Sequence, residues 1–141
     1  SLIFEPMLTS DLTDVLGFVS LEDARVIHLD ETMATEGWPS IEVAAILAHE
    51  AHHVKQFTIE KLHERSPALW LEDIEGPAYV KETLAWDELR RDASGTIVST
   101  AQHNDWDVRA DAFIVDGQVD VAVHNAYISQ ALGITPQTPM W

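Results

Sequence analysis

Apolar positions along the chain fall into two long helical rhythms, with shorter mixed stretches on either side. Arg25-Val26-Ile27-His28-Leu29-Asp30 is compact and β-prone, and it is the best strand of the N-terminal part. Ahead of it, Thr9 or Ser10 is placed to cap a short helix through Phe18, with Leu12, Val15, Leu16 and Phe18 apolar. After Trp38-Pro39 the spacing predicts a helix from Ser40, its N-cap, to about Leu62, stopping before Ser66-Pro67. Glu42 stands in its first turn, where a negative charge complements the helix dipole. Val43, Ile46, Leu47, Val54 and Phe57 form one apolar arc on its wheel. Glu50 falls inside that arc, and His49 and His53 lie along its edge. Lys55 and Ala51 take the other side, with His52 between.

A second helix is expected from Gly76-Pro77, with proline at the first helical position, to Arg91 or Asp92. Ala78, Ala85, Trp86 and Leu89 share one side of it, and Glu82 sits at their centre. Beyond Ala93-Ser94-Gly95, Trp106 to Val115 and Val119 to Leu132 read as helices, although Asp116-Gly117 between β-branched residues is also a hairpin signal. Helices are preferred, because Val119, Ala122, Val123, Ala126 and Tyr127 recur at helical spacing. The tail after Gly133 is expected to be extended. The pattern predicts one α+β domain over residues 1–141, mainly helical, with a small amount of sheet.

A carboxylate in the middle of an apolar face is costly to bury unless it is paired or lies beside a cation. That conflict occurs twice, at Glu50 and at Glu82, and a site shared between the two helices resolves both. His49-Glu50-Ala51-His52-His53 supplies the chemistry: His-Glu-x-x-His places two imidazoles four residues apart on one helix face. At that separation both can reach one zinc ion, while the glutamate flanks the metal without binding it. This arrangement resembles the zinc signature of the zincin metallopeptidases, over residues 41 to 87.

The resemblance implies a zincin-like fold with the small sheet beside the active-site helix, a Zn2+ cofactor, a peptide or protein substrate, and Glu50 as catalytic base and then acid. It also implies that the Arg25–Asp30 strand lines the cleft and pairs with an extended substrate. Metzincins extend the motif with a glycine and a third histidine, but Gln56 and Ile59 occupy those positions here. Gluzincins instead draw the third ligand from a glutamate on the following helix, a place Glu82 fills. The expected set is therefore His49, His53 and Glu82. Many gluzincins carry an aspartate four residues after that glutamate, to hold a ligand histidine; here the position is Trp86. Asp87, Glu88, Asp105 and Asp107 are the alternatives for that role. Tyr79, His103, His124 and Tyr127 are candidates for stabilising an oxyanion, by residue type alone. His52 is read as a surface or supporting residue, and His28, His63, His103 and His124 as ordinary rather than metal-binding.

Composition narrows the choice. The chain has no cysteine, which excludes disulfides and thiolate metal sites. With 24 acidic residues against 8 basic, its formal charge is −16, which argues against nucleic acid or anionic lipid as partner. No apolar run reaches membrane-spanning length and no leader pattern opens the chain, so a soluble protein is expected, its compartment and oligomeric state open. Two other readings stand beside a peptidase: a zincin-like domain that binds a partner without turnover, and a structural acidic helical domain with an incidental histidine pair.

Overall fold

The computed structural model describes residues 1–7, 16–65, 69–133 and 135. It is an α+β fold, mainly helical, with a small sheet beside the helix that carries the histidines. Strands β1 (Leu2–Glu5), β2 (Gly17–Val19) and β3 (Ile27–Asp30) form a sheet in the order β1-β3-β2. β1 runs parallel to β3 and β2 antiparallel to it, with Phe18 opposite His28. A single turn, α1 (Thr32–Thr35), leads to the long helix α2 (Ser40–Thr58). A 3-10 turn (Leu62–Glu64) and a π-helical turn (Trp70–Glu75) then precede α3 (Gly76–Leu89). The remainder is α4 (Asp105–Phe113), a two-residue hairpin of β4 (Ile114–Val115) and β5 (Gln118–Val119), and α5 (Val121–Leu132).

The core lies where the sheet, α2, α3 and α4 meet. Leu29 of β3, Ala45 and Ile46 of α2, Trp86 of α3, and Trp106 and Ala110 of α4 form one buried cluster with Met33. The buried stripe of α2 is unusual in carrying Glu42, His49, Glu50, His53 and Gln56 among its apolar residues. A buried polar group is destabilising unless a partner satisfies it, so each of these needs an account.

Several expectations are corrected. The helix expected through Phe18 lies mostly outside the described residues, and Gly17–Val19 at its end is a strand. Pro39, not Ser40, holds the N-cap position of α2, and no side chain caps that end. The helix ends at Thr58 rather than Leu62 because Lys61 adopts a left-handed backbone (φ 54°), which breaks the ladder before the 3-10 turn. In the C-terminal part both readings hold in sequence: the helices form, and Asp116-Gly117, both at positive φ, turn the small hairpin between them. The extended tail falls almost wholly outside the described residues. Among the described residues no helix is long and apolar enough to cross a membrane.

Candidate metal centre

α2 presents His49 and His53 one turn apart, and their Nε2 atoms approach to 3.0 Å. Glu75, at the end of the π-helical turn, closes the triangle: its Oε2 lies 3.4 Å from His49 Nε2 and its Oε1 3.4 Å from His53 Nε2. These three residues can hold a metal ion. Bonds of 2.0–2.1 Å at a tetrahedral angle separate ligand atoms by about 3.3 Å, which is the size of this triangle.

Each ring is held from behind. The Nδ1 of His53 lies 2.8 Å from Gln56 Oε1. The Gln56 amide nitrogen donates to the carbonyls of Asp73 (3.1 Å) and Ile74 (3.0 Å), so its oxygen must be the acceptor facing His53. His53 therefore carries its proton on Nδ1 and turns the Nε2 lone pair toward His49 and Glu75. The Nδ1 of His49 lies 2.9 Å from Glu82 Oε2, an ionic contact whose angle falls short of a hydrogen bond. With Nδ1 turned to that carboxylate, the Nε2 atom of His49 is the one that faces His53 and Glu75, and a metal ion there would take the place of the proton shared between the two rings.

Glu50, Glu75 and Glu82 are three buried or nearly buried carboxylates, and the guanidinium of Arg109 is the fixed positive charge set among them (2.6 Å to Glu82 Oε1). His49 supplies the second positive charge when protonated, and a metal ion on its Nε2 would replace that proton. Burial alone pushes the Glu75 carboxyl up, but the two histidines outweigh it and hold the group well below the usual carboxylate range. Burial pushes His49 down, and Glu75 and Glu82 outweigh that and raise it. Glu82 is raised by burial but held low by Arg109 and then by His49. Glu50 lacks such a compensating contact: burial lifts it to about 7. Its Oε2 is buried without a hydrogen-bond partner among the described residues, and a side chain on Gly17 of β2 would come within 2.9 Å of its Oε1.

The centre lies in a cleft of about 700 Å3. Gly17 to Val19 of β2 line one part of it, Phe57 and Trp70 another, and Ile128 and Leu132 of α5 a third, so its walls are largely apolar. β3 has β1 on one side and β2 on the other, so the Arg25–Asp30 strand has no free edge for a substrate, contrary to expectation. β2 lies at the margin of the sheet. Asp30 donates to the Leu16 carbonyl, so the alternation of an antiparallel ladder leaves the peptide groups of Gly17 and Val19 pointing away from β3.

The histidine pair and Glu50 thus come together as the sequence implied, but Glu82 does not join the ligand atoms. Both of its oxygens are engaged by this chain's own groups: Trp106 Nε1 and Arg109 on Oε1, and His49 on Oε2. Glu82 supplies the carboxylate behind His49 that had been sought elsewhere. Asp87 and Asp107 pair with Arg90, Asp105 with Arg109 and Tyr127, and Glu88 is exposed. α3 begins at Gly76 as the sequence predicts, and Glu75 escapes the sequence reading because it lies in the turn before that helix. Leu71, Ile74 and Ala78, all buried, continue its apolar rhythm backward, and Glu75 precedes Glu82 by two turns on that extended face. Of the oxyanion candidates, Tyr79 and His103 line the cleft. Tyr79 packs its ring edge-on to His49, and burial keeps its phenol protonated. His103 stacks on Trp38 and bonds the buried Glu42. His124 is enclosed against Thr83, and Tyr127 bonds Asp105. His28 pairs with Glu5 under Phe18, and His52 is half-buried on the flank of α2.

Compared with family models, curated proteins and solved structures, the chain matches none.

Proposed function

We propose that the protein is a zinc-dependent peptide-bond hydrolase whose ligands are His49, His53 and Glu75. The observation that carries this reading is the triangle of two Nε2 atoms and one carboxylate, beside a Glu50 oxygen that has no hydrogen-bond partner among the described residues. A zinc ion held there supplies Lewis acidity toward a scissile carbonyl and lowers the pKa of water. The rest is done by the chain. Glu50 takes a proton from the attacking water and delivers it to the departing amine. Gly17 lets β2 close over that carboxylate without pushing it aside. An extended substrate lies along β2, where the outward peptide groups of Gly17 and Val19 add it to the sheet as a further strand. Tyr79, a neutral donor against His49, is the group best placed by burial and position to hydrogen-bond the developing oxyanion.

The alternative is a domain that keeps the metal and binds a partner without turnover. Elemental analysis and cleavage of a mixed peptide library, followed by mass spectrometry, separate the two. Wild type should retain about one zinc per chain and cleave, whereas Glu50→Gln should keep the zinc and lose roughly 10²–10⁴-fold in rate. Zinc without cleavage in wild type favours the binding domain, and no zinc at all rejects both.

A further inference from the structure

Gln56 touches two parts of the centre that are far apart in sequence, and it is almost fully buried, at 1 % exposure. Toward its own helix it accepts from His53 Nδ1. Across the interface it donates to the carbonyls of Asp73 and Ile74, in the turn that ends at Glu75. That turn is short of donors. In an α-helical register the Asp73 carbonyl would accept from residue 77, which is Pro77 and has no N–H. The switch from a π-helical to an α-helical turn at Gly76 displaces the ladder further. Gly76 leaves no slack either, since a Cβ there would lie 2.5 Å from the Leu71 carbonyl and from Asn125 Oδ1. The Gln56 amide supplies the missing donors at the place where the backbone must hold still for Glu75.

On the reading that His49, His53 and Glu75 are the ligands, we infer that Gln56 is a positioning residue that serves two of them at once. Through its oxygen it sets the tautomer of His53. Through its nitrogen it fixes the π-helical turn that delivers Glu75. Neither function can be taken over by a residue that only accepts or only donates. Glutamate has the same shape and accepts from His53 at least as well, but it would turn a carboxylate oxygen onto two carbonyls.

Two measurements test this. In metal-free, 15N-labelled wild type in mildly alkaline buffer, the ring nitrogen shifts of His53 should show the proton on Nδ1; a proton on Nε2 overturns the proposal whether or not the protein binds zinc. Zinc affinity by competition with a chromophoric chelator should fall roughly 10–100-fold in both Gln56→Glu and Gln56→Met, with the fold intact by circular dichroism. An unchanged or tighter affinity in Gln56→Glu overturns the link to Glu75, because only the His53 hydrogen bond would then matter. If wild type binds no zinc while the His53 tautomer is as stated, the metal reading has failed and the role of Gln56 in setting the ring has not.

Discussion

Two clusters of buried charge lie at opposite ends of α3, and they are built on opposite plans. At its C-terminal end Arg90, 2 % exposed, is enclosed by carboxylates: Asp87 at 2.7 Å, Asp111 at 2.8 Å and Asp107 at 3.0 Å. Asp107 also accepts from Trp86 Nε1 and the Ala101 amide, and Asp87 is shared with Arg91. Here the chain supplies its own cation, and the acids that bind it are satisfied from several directions. At the N-terminal end Glu75 faces the Nε2 atoms of two imidazoles, and Glu50 keeps an oxygen without a partner among the described residues. One cluster is closed on itself, and the other could hold a metal ion. On the proposed reading the same type of residue is structural at one end and functional at the other, according to whether its counter-charge is encoded in the chain.

The largest expected effect breaks the open cluster. If zinc completes it, adding zinc at about 1,000 times its Kd stabilises the fold by roughly 4 kcal/mol through linkage. For a chain of this size that is a rise in melting temperature of about 10 °C, measurable by thermal denaturation with and without chelator. His53→Ala should abolish the rise. Glu75→Gln should abolish it too, since it removes the carboxylate of the triangle while leaving both imidazoles in place. A zinc-dependent rise that survives in Glu75→Gln but is lost in Glu82→Gln would return the ligand role to Glu82.

Next comes the closed cluster. Arg90→Met keeps much of the packing but strands the acids around it. Removing one partner of a buried ion pair costs about 3–5 kcal/mol when the site is dry. The acids here reach solvent in part, Asp111 most of all, so a loss nearer 2 kcal/mol is expected in urea denaturation. The zinc-dependent rise should be unchanged. If Arg90→Met abolished zinc binding while still folded, the two ends would be one coupled network rather than two plans.

The contrast between the clusters also governs what could be read from the sequence. The α2 and α3 helices, the motif at His49 to His53, and the inward Glu50 and Glu82 follow from periodicity, because local side-chain spacing dictates which residues share a helical face. The place of Glu75 beside the two histidines does not, since it depends on how a π-helical turn enters α3, a tertiary adjustment around Pro77 and Gly76. Arg109 and Arg90 were illegible for the same reason. Each has one acid on its own helix, Asp87 for Arg90 and Asp105 for Arg109, but Asp107, Asp111 and Glu82 reach them from another helix, and an arginine on an amphipathic helix looks the same in sequence whether it meets water or a buried acid. β2 forms where the sequence predicts the end of a helix, because Leu16 and Phe18 fit either period in so short a stretch.

Acid should separate a third buried group from both clusters. His124 is inaccessible to solvent and its Nε2 lies 2.9 Å from Thr83 Oγ1. Burial and then the charge of Arg109 lower its pKa to about 4. The unfolded chain takes up the proton first, so stability falls as pH drops from about 6.5 to about 4 and this contribution is flat below that. The expected loss is roughly 2–3 kcal/mol from this one residue. Asp87 and Asp107 have pKa values held below the ordinary range: burial raises them, and hydrogen bonds from Arg91, Arg90 and Trp86 outweigh it. Their contribution is present above about 4 and is lost only in stronger acid. In His124→Gln the decline between pH 6.5 and 4 should shrink while the drop in stronger acid remains. A curve unchanged in the upper window would mean that the imidazole is not buried in its neutral form.

The smallest expected effect is also the most direct comparison of the two plans. Asp111 contributes a 2.8 Å contact to Arg90, yet 65 % of its side chain is exposed. An exposed acid on a cation that already has two other carboxylate partners adds little, because solvent screens it and the guanidinium stays satisfied without it. Asp111→Asn should therefore shift stability by less than about 1 kcal/mol in either direction. Glu75→Gln is the same chemical change made in the open cluster, and there it should eliminate metal binding altogether. Neutralising one acid is then tolerated where the chain carries the cation, and decisive where the cation must come from outside. If Asp111→Asn destabilised the fold as much as Arg90→Met, the Arg90 cluster would have no spare acid and would not be the closed cluster that its geometry describes.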